Sequence, residues 1–376
     1  TLNNDHELAN AGMLTNSGTL NNSGKLMNNG TLVNNSGTLI FQADSIFDNT
    51  DGTFTNSGTI ESYIDNFFQT LLSVGGETVD FQTVDFQSGS KFVNHATIAN
   101  KNRQTLNNAH ELTNAGELYN FASSTLNNNS TLNNNGKLTN FRSSTLNNSG
   151  MFNNNDGAVL YNDASSTLNN NDGAMLINSG SLASDGTIDN SNNQLGANGF
   201  LNWGIYTGTG TIKGDFTDGG TVKPGNSAGG MLVDGDYYKQ GGSTEIELGG
   251  IDDGDGDRTA TKHDWIEITG NLELAGELVV SLLPGFTLSA GDSFVIAKVD
   301  GELTGQYEGL NEGDSVGEFA IDGGGTPELF ITYKGGDGND IELYAKSVSG
   351  ALPESLSEPR MIGSDADDSL TGASAD

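Results

Sequence analysis

The chain has 376 residues and no cysteine, and its 49 acidic and 15 basic side chains give a formal net charge of −34. The missing cysteines exclude disulfides and thiolate chemistry, and the acidic excess excludes a broad nucleic-acid-binding surface. No run reaches the ~18 apolar residues of a membrane-spanning helix. Only 34% of the residues are hydrophobic, which is low for a globular core but sufficient for a repeat protein with a narrow core.

Residues 1–60 are read as repeats of a β-helix. Up to about Gly37 they repeat a six-residue phrase in which a leucine is followed two positions later by an asparagine and four positions later by a glycine, and the spacing then persists loosely to Ile60. Because alternate side chains of a strand face the same side, Leu20 and Asn22 point inward together. Gly24 is expected to adopt a positive φ at the corner. One phrase cannot bury its own leucine, so the phrases must stack as a solenoid. The leucines of the first phrases are Leu2, Leu8, Leu14, Leu20, Leu26 and Leu32.

The phrase breaks over residues 61–91, where Tyr63, Phe67, Leu71 and Leu72 have a helix-like spacing. We predict an insertion that projects from one corner of the rod. Insertions in solenoids often carry binding functions, and an aromatic segment that packs back on the rod is the alternative. Both interpretations stay open at this point.

The phrase returns over residues 92–215, and from Leu106 to Ile188 its core positions are six or eight residues apart. Even spacings keep all of them on the inward face, and their order predicts three strands per turn and coils of about 20 residues. The eight-residue steps place Phe121 and Phe141 at the same corner of successive coils, where we expect the rings to stack. The pattern predicts an all-β, three-sided parallel β-helix. Its core residues are Leu106, Leu112, Leu118, Leu126, Leu132, Leu138, Leu146, Phe152, Leu160, Leu168, Leu176, Leu182 and Ile188.

Asparagine occupies the second inward position of most phrases. An unpaired buried amide costs about 1–3 kcal/mol, so we predict ladders in which each amide bonds the amides of the coils above and below. A polar surface stripe that binds a ligand is the alternative. The asparagines concerned are Asn4, Asn10, Asn16, Asn22, Asn28, Asn108, Asn114, Asn120, Asn134 and Asn140.

These phrases, of the form G-x-L-x-N-x-G, resemble the filamentous-haemagglutinin and autotransporter-passenger class of β-helical surface proteins. The resemblance implies a right-handed helix, while the strict six-residue blocks near residue 1 leave a left-handed hexapeptide helix as the alternative. Residues 221–227, with the sequence TVKPGNS, and residues 264–283 resemble the C-terminal end of such passengers. This implies that residues 216–345 form a β-rich capping domain continuous with the rod.

Two stretches of the second half have calcium-like spacings. Asp253, Asp255 and Asp257 alternate along a short acidic loop, as in loops that wrap Ca²⁺ with carboxylate oxygens. Arg258 departs from the EF-hand pattern, and an exposed acidic hairpin is the alternative to a Ca²⁺ site. Residues 335–340 resemble a calcium-binding nonapeptide, but this copy stands alone, and we predict a hairpin turn there.

Residues 346–376 are interpreted as a linker followed by one calcium-binding motif. Residues 362–372, with the sequence IGSDADDSLTG, resemble the opening unit of RTX (haemolysin-type) repeats of type I-secreted bacterial proteins. The resemblance implies that Asp365 and Asp368 bind Ca²⁺ only together with further repeats downstream, because each ion is held between successive turns. It also implies a protein that leaves the cell unfolded and folds outside it.

The sequence contains no zinc motif, phosphate loop or nucleophile elbow, and His6 and His110 occupy the same corner of the phrase. We therefore predict a non-catalytic extracellular protein, either a surface adhesin directed at a glycan or cell, or a subunit of a matrix, sheath or biofilm filament. Self-association is expected through coil ends or lateral contacts. A carbohydrate-active β-helix enzyme, either a polysaccharide lyase or a glycosidase, is the alternative.

Overall fold

The structure is a computed structural model. It describes residues 1–35, 37–42, 45–48, 53–56, 59–62, 83–86, 91–95, 97–100, 103, 105–193, 199–319 and 328–346. Three strands make one coil, and up to Ser293–Val299 the strands pair in parallel with the equivalent strands of the neighbouring coils. The helical structure of the described residues is limited to a 3-10 turn at Gly254–Gly256. The prediction of an all-β, three-sided parallel β-helix is confirmed.

The three sides of the solenoid are here called face 1, face 2 and face 3, in the order in which the chain visits them. Face 1 is a sheet of 14 strands: Leu2–Asn4, Thr19–Asn22, Thr38–Phe41, Thr59–Ser62, Lys91–Asn94, Glu111–Asn114, Thr131–Asn134, Met151–Asn154, Met175–Asn178, Gly199–Asn202, Phe216–Asp218, Tyr237–Lys239, Leu272–Leu274 and Leu303–Gly305.

Face 2 begins with the three strands Glu7–Asn10, Lys25–Asn28 and Ile46–Asp48. It continues with nine: Thr97–Asn100, Glu117–Phe121, Lys137–Phe141, Val159–Asn162, Ser181–Ser184, Ile205–Gly208, Thr221–Pro224, Ser243–Leu248 and Glu277–Leu282. Face 3 begins with Met13–Asn16, Thr31–Asn34 and Thr53–Asn56. It continues with 13: Thr83–Phe86, Thr105–Asn108, Thr125–Asn128, Thr145–Asn148, Thr167–Asn170, Thr187–Asp189, Thr211–Lys213, Gly230–Asp234, Trp265–Ile268, Ser293–Val299, Asp340–Ala345, Glu328–Gly335 and Ser315–Glu318.

The spacing of the phrases sets the length of each coil and the column of core residues. Leu112 lies directly opposite Leu132 on face 1, and Leu126 and Leu132 have no exposed surface. Full burial of one leucine side chain contributes about 1.5–3 kcal/mol. Because only every second strand residue faces inward, a low hydrophobic content fills this core. Phe121 and Phe141 stack at their corner as predicted, with ring centroids 5.2 Å apart.

The second inward position holds an asparagine ladder on each face. On face 1, Asn94 Nδ2 donates to Asn114 Oδ1 (2.7 Å), Asn114 to Asn134 (2.8 Å) and Asn134 to Asn154 (2.8 Å). These side chains are at most 1% exposed. The predicted buried ladder is confirmed, and the alternative of a surface stripe is wrong. The same donor direction holds in the ladders Asn100, Asn120, Asn140 and Asn162 on face 2 and Asn108, Asn128, Asn148, Asn170 and Asn190 on face 3.

The corner glycines of the phrase permit close packing between coils. A Cβ on Gly24 would lie 2.1 Å from the carbonyl oxygen of His6, and one on Gly136 would lie 2.1 Å from that of Gly116. Neither Gly24 nor Gly136 has a positive φ, so the prediction of a positive φ at Gly24 is wrong. Coils only about 4.8 Å apart leave no room for a side chain that points along the axis.

The parallel coils continue well into the second half of the chain. Phe216–Asp218 pairs in parallel with the strands before and after it on face 1. The pairing changes at Ser293–Val299, which is parallel to Trp265–Ile268 and antiparallel to Asp340–Ala345. The predicted boundary at residue 216 is therefore not marked by a change of sheet type, and the capping role of residues 216–345 stays a prediction.

Part of the predicted insertion at residues 61–91 belongs to the coils. Thr83–Phe86 pairs in parallel with Thr105–Asn108 on face 3, and Thr59–Ser62 pairs in parallel with Lys91–Asn94 on face 1. The other residues of the predicted insertion, and the expected projection from the rod, lie outside the described residues.

Candidate functional site

The acidic loop predicted to bind Ca²⁺ connects face 2 to face 3 in the C-terminal coils. Asp253 Oδ2 lies 3.0 Å from Lys298 Nζ, and its Oδ1 accepts a hydrogen bond from the N–H of Asp255 (3.2 Å). Burial acts to raise the pKa of Asp253, but the Lys298 ammonium and the accepted hydrogen bonds outweigh it and lower that pKa. Asp257 accepts hydrogen bonds from the N–H and hydroxyl of Thr259 (2.9 and 2.7 Å), which lower its pKa.

The predicted ligands Asp253, Asp255 and Asp257 are thus not gathered around one point. Among the residues that the structure describes, no group of three or more His, Cys, Asp or Glu side chains could hold a metal ion. Lys298 contacts Oδ2 of Asp253, and the Ca²⁺ site stays a prediction. Asp365 and Asp368 of the RTX-like motif lie outside the described residues.

Residues 335–340 form the turn of an antiparallel hairpin, as predicted. Asp340 Oδ1 accepts a hydrogen bond from the N–H of Val299 (2.8 Å), and Asn339 Nδ2 donates to the carbonyls of Val299 (2.8 Å) and Gly301 (2.6 Å). The polar side chains of this turn therefore fasten the hairpin to the neighbouring strand.

In the described part of the chain, His6 and His110 lie at corners and His263 lies buried between backbone carbonyls. His6 and His110 are exposed corner residues, as predicted. The two ring nitrogens of His263 face backbone carbonyls at 3.1 and 3.2 Å, and burial lowers its pKa. Asp264 accepts backbone hydrogen bonds on both oxygens (2.8 and 2.9 Å), and burial raises its pKa to about 7. Both buried side chains join backbone segments of adjacent strands.

The asparagine ladder of face 1 ends in an ion pair that the sequence analysis missed. Asn202 Nδ2 donates to Asp218 Oδ1 (2.6 Å). In the next coil, Lys239 Nζ donates to Asp218 Oδ2 and to the carbonyls of Gly220 (2.7 Å) and Ser243 (3.1 Å). Neither charged side chain is exposed. Burial lowers the pKa of Lys239, although Asp218 acts to raise it. Because three acceptors satisfy the ammonium, the pair is a structural end to the ladder.

One outward surface of the rod is regular and uncharged. We call it the threonine face and define it as the outward side chains of Thr105–Asn108, Thr125–Asn128, Thr145–Asn148 and Thr167–Asn170, each of which presents one threonine and one asparagine. In the same coils, outward charges lie at Glu111 on face 1 and at Glu117 and Lys137 on face 2, while the later strands of face 1 present methionines and other uncharged side chains.

The outward asparagines of the threonine face form a second ladder, parallel to the buried one. Asn127 Nδ2 donates to Asn107 Oδ1 (2.7 Å), and Asn147 donates to Asn127 (2.8 Å). These bonds run toward the N-terminus, whereas the buried bond from Asn108 runs to Asn128 (2.7 Å), toward the C-terminus. The outward ladder restrains the outward asparagine side chains along this face.

The edge between face 1 and face 2 carries an exposed tryptophan. Trp203 is 51% exposed, and a Cβ on Gly219 in the next coil would lie 2.1 Å from its Cζ3 atom. The ring therefore lies directly over Gly219, and only glycine fits beneath it. The second tryptophan of the chain, Trp265, is 1% exposed.

Beyond Trp203, the same edge contains an open cavity of about 600 Å³. Thr221 lines the cavity, and its N–H donates to the carbonyl of Gly204, the residue after Trp203 (2.8 Å), so the ring and the cavity are adjacent. We call Trp203 and this cavity together the corner groove. Its polar lining includes Gln240, Ser243, Glu277, Gln306 and Glu308, with glycines between them.

The sequence analysis missed the corner groove, although one signal was available. The phrase that contains Trp203 reads Asn-Trp-Gly where other phrases have a small residue between asparagine and glycine. A bulky aromatic residue at a corner cannot point into the core, so the substitution marks a surface feature.

No protein-family model and no curated protein sequence matches the chain. The fold is that of a β-helical repeat protein, while the likeness to haemagglutinin-type passengers and RTX repeats rests on the residues quoted above. No helix within the described ranges is long and apolar enough to cross a membrane.

Proposed function

We propose that the chain is a non-catalytic, extracellular structural and adhesive rod of a bacterial surface, and that the threonine face is the lateral contact between rods. The observation that carries the proposal is an uncharged, regular face on a chain with a net charge of −34. Highly charged rods of one sign repel each other. The approach of two rods therefore costs least where neither presents a charge.

The short side chains of the threonine face also suit close contact between sheets. Flat sheets with small polar side chains can interdigitate in dry zippers about 10 Å apart. Four strands about 4.8 Å apart cover a few hundred Å², which is below the roughly 800 Å² per partner of a stable interface. We therefore expect weak pairing that strengthens with concentration and with the number of coils in contact.

Lysine substitution on two faces tests the lateral contact. Thr125→Lys with Thr145→Lys places two charges on the threonine face, and Thr113→Lys with Thr131→Lys is the matched control on face 1. Both pairs lower the net negative charge equally, so general repulsion changes equally. Sedimentation and electron microscopy over a concentration series should show paired or bundled rods for the native chain and the control, and single rods for the threonine-face variant. Equal assembly of both variants would contradict the lateral contact.

Two other modes of action predict different results with the same samples. Stacking through coil ends gives filaments one rod wide that both lysine variants still form. A carbohydrate-active enzyme turns over a polysaccharide, and loss of that turnover in Glu277→Gln or Glu308→Gln would contradict a non-catalytic rod.

A further inference from the structure

The corner groove offers an aromatic surface at one end. The six-membered ring of Trp203 lies against Gly219, and the side chain is 51% exposed. Because contact with Gly219 restricts the ring, a ligand that stacks on Trp203 loses less entropy by ordering this side chain. Exposed tryptophans present a large apolar face beside a polar N–H. Such a surface suits a ligand that has both apolar and polar sides.

The cavity beside Trp203 offers hydrogen-bonding groups of complementary kinds. Gln240 and Gln306 each provide amide donors and an acceptor. Ionised Glu277 and Glu308 provide acceptors and no donor. Among the residues that the structure describes, the lining contains no lysine or arginine. A phosphate, sulfate or carboxylate ligand would therefore meet two carboxylates without a compensating cation. A purely apolar ligand would leave these polar groups unpaired.

The backbone between these groups leaves room for a ligand along the axis of the rod. Successive corners stack directly, because Glu277 donates its N–H to Gly242 (2.8 Å) and Glu308 donates to Gly276 (2.6 Å). A Cβ placed on Gly241 would meet no atom within 4 Å. Gly241 therefore adjoins open space, and the lining residues lie at the corner between face 1 and face 2 in successive coils.

The geometry points to the corner groove as a binding site for an uncharged oligosaccharide laid along the rod, with one sugar on Trp203 and the next ones in the cavity. Sugar rings have an apolar C–H face that stacks on an aromatic ring, and hydroxyls that donate to carboxylates and both donate to and accept from amides. This site lies on a different edge from the threonine face, so it is independent of lateral assembly.

The test uses the whole chain on an array of neutral, amino-substituted and sulfated oligosaccharides, followed by titration of each bound glycan. Tryptophan emission reports binding at Trp203, because Trp265 is buried. Trp203→Ala should weaken binding about tenfold or more, as expected for an aromatic anchor. Gly241→Leu adds a bulky side chain to the lining of the cavity and should weaken binding about tenfold or more. Asn129→Leu, on an exposed corner of another edge, is the matched control and should bind like the native chain.

Circular dichroism and thermal unfolding establish that each variant is folded, and Gly241→Leu keeps the test decisive if Trp203→Ala unfolds. Binding of neutral glycans that both groove variants weaken supports the site. Absence of neutral-glycan binding, binding of sulfated glycans alone, or native affinity in the folded groove variants would overturn it. Cleavage of a bound glycan would contradict the non-catalytic rod but leave the glycan site in place, so the two proposals fail separately.

Discussion

Lys239 and Asp218 form an ion pair inside the β-solenoid, and neither side chain is exposed to solvent. Their positions on face 1 are the ones that asparagines occupy in the coils below, since Asp218 lies opposite Asn202 and Lys239 lies opposite Asp218. Asp218 accepts the last amide donor of the ladder, and Lys239 then donates to Asp218 and to two carbonyls. The repeat therefore ends with a charged pair at asparagine positions.

Breaking this pair should be far more costly than replacing it. Asp218→Asn keeps an acceptor for Asn202 but leaves the Lys239 ammonium buried without a counter-charge, and we expect a loss of about 3–5 kcal/mol in the free energy of unfolding. Asp218→Asn combined with Lys239→Met removes both charges at similar volume and should recover most of that loss. Urea unfolding of the single and double variants measures both values. Equal losses in the two would contradict a buried, mutually dependent pair.

The asparagine ladder predicts opposite outcomes for two adjacent residues. Asn134→Leu removes the amide that accepts from Asn114 and donates to Asn154, and each buried group left unpaired costs about 1–3 kcal/mol. Asn133 points outward and is half-buried, so Asn133→Leu should change the free energy of unfolding by less than about 1 kcal/mol. Thermal and urea unfolding compare the two variants. A gain in stability in Asn134→Leu would show that the ladder does not stabilise the fold.

The spacing of residues predicts the coils and ladders because a strand has a period of two. Even steps between Leu106, Leu112 and Leu118 keep all three side chains on the same, inward face of the strands. A buried asparagine two positions after each leucine requires a hydrogen-bond partner in the next coil. The positive φ predicted for Gly24 was wrong. This position requires glycine because neighbouring coils are in contact there, and that contact depends on the rise of the stack and not on the local turn. Such contacts become visible only when the coils are stacked.

The corner groove was beyond the sequence analysis for the same reason. Thr221, Ser243 and Glu277 are far apart in the chain, and they line one cavity because coils of unequal length stack their strands. The phrase spacing that aligns the central coils does not extend to these coils, so their register could not be predicted. Asp218 and Lys239 occupy the inward position that asparagine has in other phrases, but their pairing could be predicted only from the register of these coils.

The buried carboxyl of Asp264 predicts a pH dependence of stability. Burial raises its pKa from 3.8 to about 7, so the folded state binds this proton more tightly than the unfolded state. Its contribution to stability is complete below about pH 4 and is lost as the pH rises through about 7. His263, whose pKa burial lowers, acts in the opposite direction as the pH falls below its ordinary range.

The comparison of the native chain with Asp264→Asn isolates this contribution. Urea unfolding between pH 4 and pH 8 should show that the native chain loses more stability with rising pH than the variant, because the variant lacks the titrating carboxyl and retains His263. Parallel pH profiles for the two proteins would contradict a raised pKa at Asp264.

Glycine-to-alanine substitutions at two corners should change the stability of the fold in opposite directions. A Cβ on Gly136 would lie 2.1 Å from the carbonyl oxygen of Gly116, whereas a Cβ on Gly241 would meet nothing within 4 Å. Gly136→Ala must therefore push two coils apart, and overpacking of this kind costs about 1–3 kcal/mol. Gly241→Ala restricts the unfolded chain without a clash, and such changes stabilise by about 0.4–1 kcal/mol. Neither glycine has a positive φ, so backbone strain does not confuse the comparison. Thermal unfolding measures the difference, and equal midpoints would show that the coils can separate at a corner without cost.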